Sequence, residues 1–134
     1  MRVVFDTNVL LAAFLTEGLC AKLLARARRR QFHLVLCPVI LAECKRILSK
    51  KFKANHEELA SVLSLLRESA QSVVTPDVVV QGICRDSDDD LVLACARAAQ
   101  AAFLVTGDAD PLVLGEFEGI RIINPRDFEG MMEG

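Results

Sequence analysis

The sequence has no tryptophan and no tyrosine, and its aromatic content of 5% is all phenylalanine. Its core must therefore be built mainly from Leu, Val, Ile and Ala, and the stacked aromatic platforms on which many single-strand binders hold bases are excluded. No apolar run reaches the roughly 18 residues that a membrane helix needs, and no basic stretch precedes the first apolar segment. The expectation is a soluble cytoplasmic protein without membrane contact. Five cysteines (Cys20, Cys37, Cys44, Cys84, Cys95) make an odd set with no C-x-x-C pair. Most lie among apolar neighbours, where a free thiol packs as a small hydrophobe, which argues against a disulfide framework or a zinc site. Nor is there a basic surplus, the formal net charge being −2. That value alone does not exclude a nucleic-acid partner, because basic residues are clustered at 26–30 and 50–53 and the acids lie elsewhere. Within them, 28–30 and 50–53 are candidates to hold RNA and are equally well explained as solvated helix ends favoured by the macrodipole.

What is present is an apolar fraction of 52% in 134 residues, enough for one domain that buries about two-thirds of its unfolded surface. A short apolar strand, 2–5, ends at Asp6, and 9–14 and 19–30 read as helices. A second strand at 34–37 leads into a helix that Pro38 opens and that runs to about Phe52. Asn55 caps the next helix, with Glu57 and Glu58 in its first turn and its end near Ala70. Ser72 to Val74 is a third short strand, followed by an irregular connection over 76–82. A helix over 87–99, strands at 102–105 and 120–123, and a helix or turn opened by Pro125 complete the chain. Strands alternating with helices at this spacing predict an α/β fold: a three-layer α/β/α sandwich around a parallel sheet of four to five strands, in a single domain over 1–134.

Acidic residues fall where such sheets place their sites. Ligands bind at the carboxyl ends of the strands, and Asp6 and Asp108 each follow a strand, though either could serve only as a turn or cap residue. Glu43 lies at the margin of an apolar arc formed by Ile40, Leu41, Cys44, Ile47 and Leu48, from which it can reach inward; the plainer alternative is an exposed glutamate paired with Lys45 or Lys50. In the run Asp86-Ser87-Asp88-Asp89-Asp90, acids suit a helix N-terminus, and Ser87 with Asp90 resembles a capping box. Asp89 shares the arc of Val92, Leu93 and Ala96 and is the first candidate for an inward carboxylate, Asp90 is the second, and Asp88 faces solvent. Inward carboxylates on one sheet edge repel unless a cation neutralises them. An all-oxygen donor set suits Mg²⁺ or Mn²⁺ over Zn²⁺, and such ions support phosphodiester hydrolysis.

Four blocks together resemble the PIN-domain nucleases: Val3-Val4-Phe5-Asp6-Thr7-Asn8, Pro38-Val39-Ile40-Leu41-Ala42-Glu43, Arg85 to Asp90 followed by Leu93 and Ala96, and Leu104-Val105-Thr106-Gly107-Asp108. They span residues 3 to 108 in register, and the match is nearest to the toxin components, of VapC type, of bacterial toxin-antitoxin systems. The resemblance implies a metal-dependent endoribonuclease. It implies Asp6, Glu43 and Asp89 as metal ligands, Asp108 completing the catalytic cluster, and Asn8 and Thr106 orienting carboxylates or water. The three consecutive acids leave Asp90 open as a ligand in place of Asp89. It further implies Mg²⁺ or Mn²⁺, an RNA substrate, a homodimer and a cognate antitoxin protein. Two other phosphoryl-transfer folds fit less well: a receiver domain needs an acid pair after strand one and a late Lys, and a haloacid-dehalogenase-like phosphatase needs Asp where Asn8 stands. The remaining alternative is a catalytically silent PIN-like module that binds RNA or protein.

Overall fold

The computed structural model describes residues 1–133. β1 (Arg2–Phe5) stops at Asp6, whose carboxylate accepts the Val9 amide at 3.0 Å and so caps α1 (Thr7–Leu15). α2 (Leu19–Arg28) leads to β2 (His33–Leu36), and Pro38, needing no amide hydrogen at the first helical position, opens α3 (Pro38–Lys50). α4 (His56–Ser69) begins with a reciprocal capping box: the Glu58 amide donates to the Asn55 side chain at 2.8 Å, and the Asn55 amide donates to the Glu58 carboxylate at 3.0 Å. β3 (Ser72–Val73), an irregular stretch, α5 (Ser87–Ala98) and β4 (Phe103–Val105) follow. α6 (Ala109–Leu114), β5 (Glu116–Phe117), β6 (Ile120–Ile123) and α7 (Pro125–Glu133) close the chain.

The sheet has six strands in the order β3-β2-β1-β4-β6-β5. Among the described residues five strands are parallel, and only β5 runs antiparallel, against β6. The sequence reading of four to five strands thus describes the parallel part, and α6 and β5 were not anticipated. β5 exists because Glu118 and Gly119 both adopt positive φ, 49° and 83°, the pair of signs that lets a two-residue turn match strand twist. Glu in place of the usual Asn or Asp hides that turn in the sequence.

Val3, Val4 and Phe5 are at most 1% exposed. Successive strand residues face opposite sides of the sheet, so helices must cover both faces, which gives the α/β/α layering. On one face Phe128 of α7 meets Phe5, Phe32 and Phe103 at ring-centroid distances of 5.3 to 6.4 Å. α7 is also tied to α2 by a fork in which Arg26 donates to both Glu129 oxygens at 2.6 and 2.9 Å. Arg26 holds the buried Glu129 carboxyl down to about 2. Arg30 donates to the carbonyls of Ser69 and Glu68 at the end of α4, at 3.2 and 3.3 Å. These two members of the basic cluster therefore grip the protein itself. Among the described residues no single helix is long and apolar enough to cross a membrane.

Candidate functional site

The chain leaves β1 for β2 and β3 on one side, then returns to place β4 on the other side of β1. Connections on opposite sides of β1 open a crevice at the carboxyl ends of β1 and β4, the usual ligand position in open α/β sheets. The register Phe5↔Val105 sets Asp6 beside Thr106, each one residue beyond its strand. A cleft of about 400 Å³ opens there, and seven of its fifteen lining residues are acidic while none is basic.

Asp6 sits at its floor, 3% exposed. One carboxylate oxygen accepts the Val9 amide, and the other accepts the hydroxyl of Thr106, itself fully buried. The same Thr106 oxygen accepts the Asp108 amide at 3.0 Å, so one hydroxyl fixes both acids. Asn8 reaches across from α1 to donate to Asp108 at 3.3 Å. Burial pushes the Asp6 carboxyl up to about 7, opposed by the Thr106 and Val9 hydrogen bonds and reinforced by the charge of Asp108.

The α3 and α5 walls differ from the sequence reading in three respects. Glu43 lines the cleft but is turned to Arg46, which donates to both its oxygens at 3.0 and 2.6 Å. The partners expected for an exposed Glu43 are Lys45 or Lys50; on a helix, however, a residue three positions on is a surface neighbour, and Arg46 takes that place. Asp90, the second ligand candidate, is not in the cleft: it is 5% exposed and accepts the Cys84 amide at 2.8 Å. Nor does Asp90 form a capping box with Ser87, because the cap of α5 is Asp86, which accepts the Asp88 amide at 2.9 Å. The segment before α5 folds back over it, with Arg97 donating to the Val78 carbonyl at 3.0 Å, and this cover buries Asp90 on a flank that looks exposed from helical periodicity alone. Asp89 is half-buried in the cleft wall, and burial, then the charges of Asp108, Asp86, Asp110 and Asp88, raise it to about 6.

Three lining acids escaped the sequence reading as site residues: Asp86, Asp88 and Asp110. Asp86 and Asp88 were legible as part of the acidic run. Asp110 carried no signal, since α6 was not foreseen; it is held by Arg85 at 2.7 Å, which keeps its carboxyl below the usual range.

The residues present suit a hard divalent cation. Their donors are all oxygen, and two carboxyls are raised by burial and mutual repulsion, a cost that bound positive charge relieves. Among the described residues no three His, Cys, Asp or Glu side chains already converge on one point, consistent with Glu43 being held by Arg46. The raised acids also set a pH dependence. An acid whose folded pKa exceeds its unfolded value binds more protons when folded, so stability falls as pH rises between the two values. Metal-free protein should lose roughly 2 kcal/mol between pH 5 and 8 through Asp6. Thermal melts with EDTA and with Mn²⁺ check this, and the Mn²⁺ series should be nearly flat. His33, lowered by burial, acts weakly in the opposite direction.

The fold is shared with a chain in the crystal structure of VapBC2 from Rickettsia felis bound to a DNA fragment from their promoter. The TM-score is 0.67 at 16% identity, over 92% of this chain and 98% of that one. No curated protein gives a significant sequence match. A PIN domain family model matches residues 2–110. Since the match runs from the start of β1 through the acidic loop after β4, well over half the chain, this protein belongs to the PIN-domain family.

Proposed function

We propose that the protein is a Mg²⁺- or Mn²⁺-dependent endoribonuclease that hydrolyses RNA phosphodiester bonds, its nuclease domain spanning 1–134. The observation that carries this reading is the buried Asp6 carboxylate at the floor of a cleft lined by six further acids and by no basic residue. Asp6, Glu43, Asp89 and Asp108 are the proposed ligands and catalytic acids; Asp90, committed to the Cys84 amide, is left out. A bound divalent cation supplies the charge that activates water and stabilises phosphodiester oxygens. The chain's own part is orientation: Thr106 holds Asp6 and the Asp108 loop together, and Asn8 holds the Asp108 carboxylate. Between the acids, the α3 and α5 walls of the cleft carry Val39, Ile40, Ile47, Leu91 and Val92. The fold shared with a chain of the VapBC2 complex supports the finer reading that this protein is the toxin of such a pair, with a cognate antitoxin as partner; assembly as a homodimer is part of the same proposal. A second reading, a silent RNA- or protein-binding module, draws on the Glu43–Arg46 pair, which withholds one acid from the cluster.

The deciding experiment incubates purified protein with mixed-sequence single-stranded RNA and Mn²⁺, Mg²⁺ or EDTA. Cutting that needs the cation and disappears in Asp6→Asn establishes the nuclease. A folded, partner-free protein that cuts nothing with either metal overturns it in favour of the silent module.

A further inference from the structure

Arg46 stands beside the acidic cleft without lining it. It lies one turn beyond Glu43 on α3, and its fork engages both oxygens of that carboxylate. A cation arriving at the acid cluster therefore finds both Glu43 oxygens engaged by a guanidinium whose positive charge opposes it. The pair is weakly held, since the side chains are 52% and 36% exposed, and exposed pairs of this kind contribute at most about 1 kcal/mol. Arg46 has no other hydrogen-bond or ion-pair partner among the described residues, and it lies close enough to Asp88, on the α5 side of the cleft, to feel its charge. Arg85, on the other acidic strand-to-helix connection, is already spent on Asp110.

The geometry points to Arg46 as an internal counter-ion that a divalent cation displaces from Glu43, and whose released guanidinium then binds a phosphate oxygen of the RNA beside the cleft. This rests on the nuclease reading and adds to it an order of events, cation before RNA. A guanidinium suits the second task because its rigid fork matches two oxygens of a phosphate as well as it matches a carboxylate. The exchange also meets an electrostatic need: a cleft with seven acids and no basic lining residue repels RNA until positive charge reaches it.

The test compares the full chain with Arg46→Gln and with Lys45→Gln, an adjacent change that removes the same charge outside the pair. Mn²⁺ binding is followed by calorimetry without RNA, and kcat and KM are then measured on single-stranded RNA. Arg46→Gln should bind Mn²⁺ roughly two- to fivefold more tightly, because Glu43 no longer has to be vacated. Its KM should rise about tenfold with kcat little changed, as expected for a lost charged hydrogen bond to bound substrate. Lys45→Gln should show neither effect. Mn²⁺ affinity that is unchanged or weaker in Arg46→Gln, or strengthened equally in Lys45→Gln, overturns the displacement; an unchanged KM overturns the phosphate contact. Wild-type protein that binds no Mn²⁺ instead defeats the nuclease reading on which both depend.

Discussion

Asp6→Asn should reduce RNA cleavage by at least about a hundredfold, the scale on which removal of one preorganised charge-stabilising group acts, and should at the same time make the metal-free protein more stable at pH 8. The two effects share a cause. Asp6 is 3% exposed and its carboxyl is raised to about 7 by that burial and by Asp108, so at pH 8 the folded chain carries a charge that it would hold more cheaply unfolded. Asn keeps the oxygen that caps α1 through the Val9 amide, so the helix start survives. Removing the charge should add roughly 4 kcal/mol at pH 8 without metal, and little near pH 4, where Asp6 is protonated. Added Mn²⁺ should reverse the ranking by stabilising the wild type alone. Urea melts at the two pH values, with and without Mn²⁺, measure this. A variant less stable than the wild type at pH 8 in EDTA would show that the native carboxylate is already well compensated.

The acidic run at the start of α5 should divide by role when each residue is changed separately. Asp89→Asn should lower activity by about a hundredfold and raise the Mn²⁺ concentration required, because Asp89 is the half-buried acid of the cleft wall. Asp88→Asn, exposed at the cleft lip, should cost far less. Asp90→Ala should leave the Mn²⁺ requirement unchanged but destabilise the fold by roughly 1–3 kcal/mol, since the Cys84 amide loses its acceptor. The three variants are compared by Mn²⁺ titration of initial rates and by thermal melts. Equal activity losses in Asp88→Asn and Asp89→Asn would end the assignment of Asp89, and an altered Mn²⁺ requirement in Asp90→Ala would return Asp90 to the candidate ligands.

The distinction between Asp89 and Asp90 shows where periodicity stops being informative. Val92, Leu93 and Ala96 define one flank of α5, and Asp89 lies with them. But Ala94 and Cys95 are buried too, at 4% and 0% exposure, because α5 packs on β1 and β4 while the segment before it covers another flank. A helix buried on more than one side has no single inward arc. Glu43 illustrates the same limit from the opposite direction: its place on the rim of the cleft follows from the arc on α3, yet its present partner depends on an exposed side chain free to choose among neighbours.

The sequence by itself determined the order of the elements apart from α6 and β5, the parallel sheet and the strand-end positions of Asp6 and Asp108. These rest on local signals, such as β-branched runs, Pro38 at a helix start and the Asn55 cap, whose energetics involve residues only a few positions apart. Tertiary structure alone decided that Thr106 would bind both Asp6 and the Asp108 amide, that Asp110 would join the cleft, that Arg26 would serve Glu129, and that Asp90 would be sealed away. Those outcomes depend on which strands become neighbours and which loop covers which helix. They are settled by long-range packing between segments as much as 103 residues apart, of which a local pattern carries no trace.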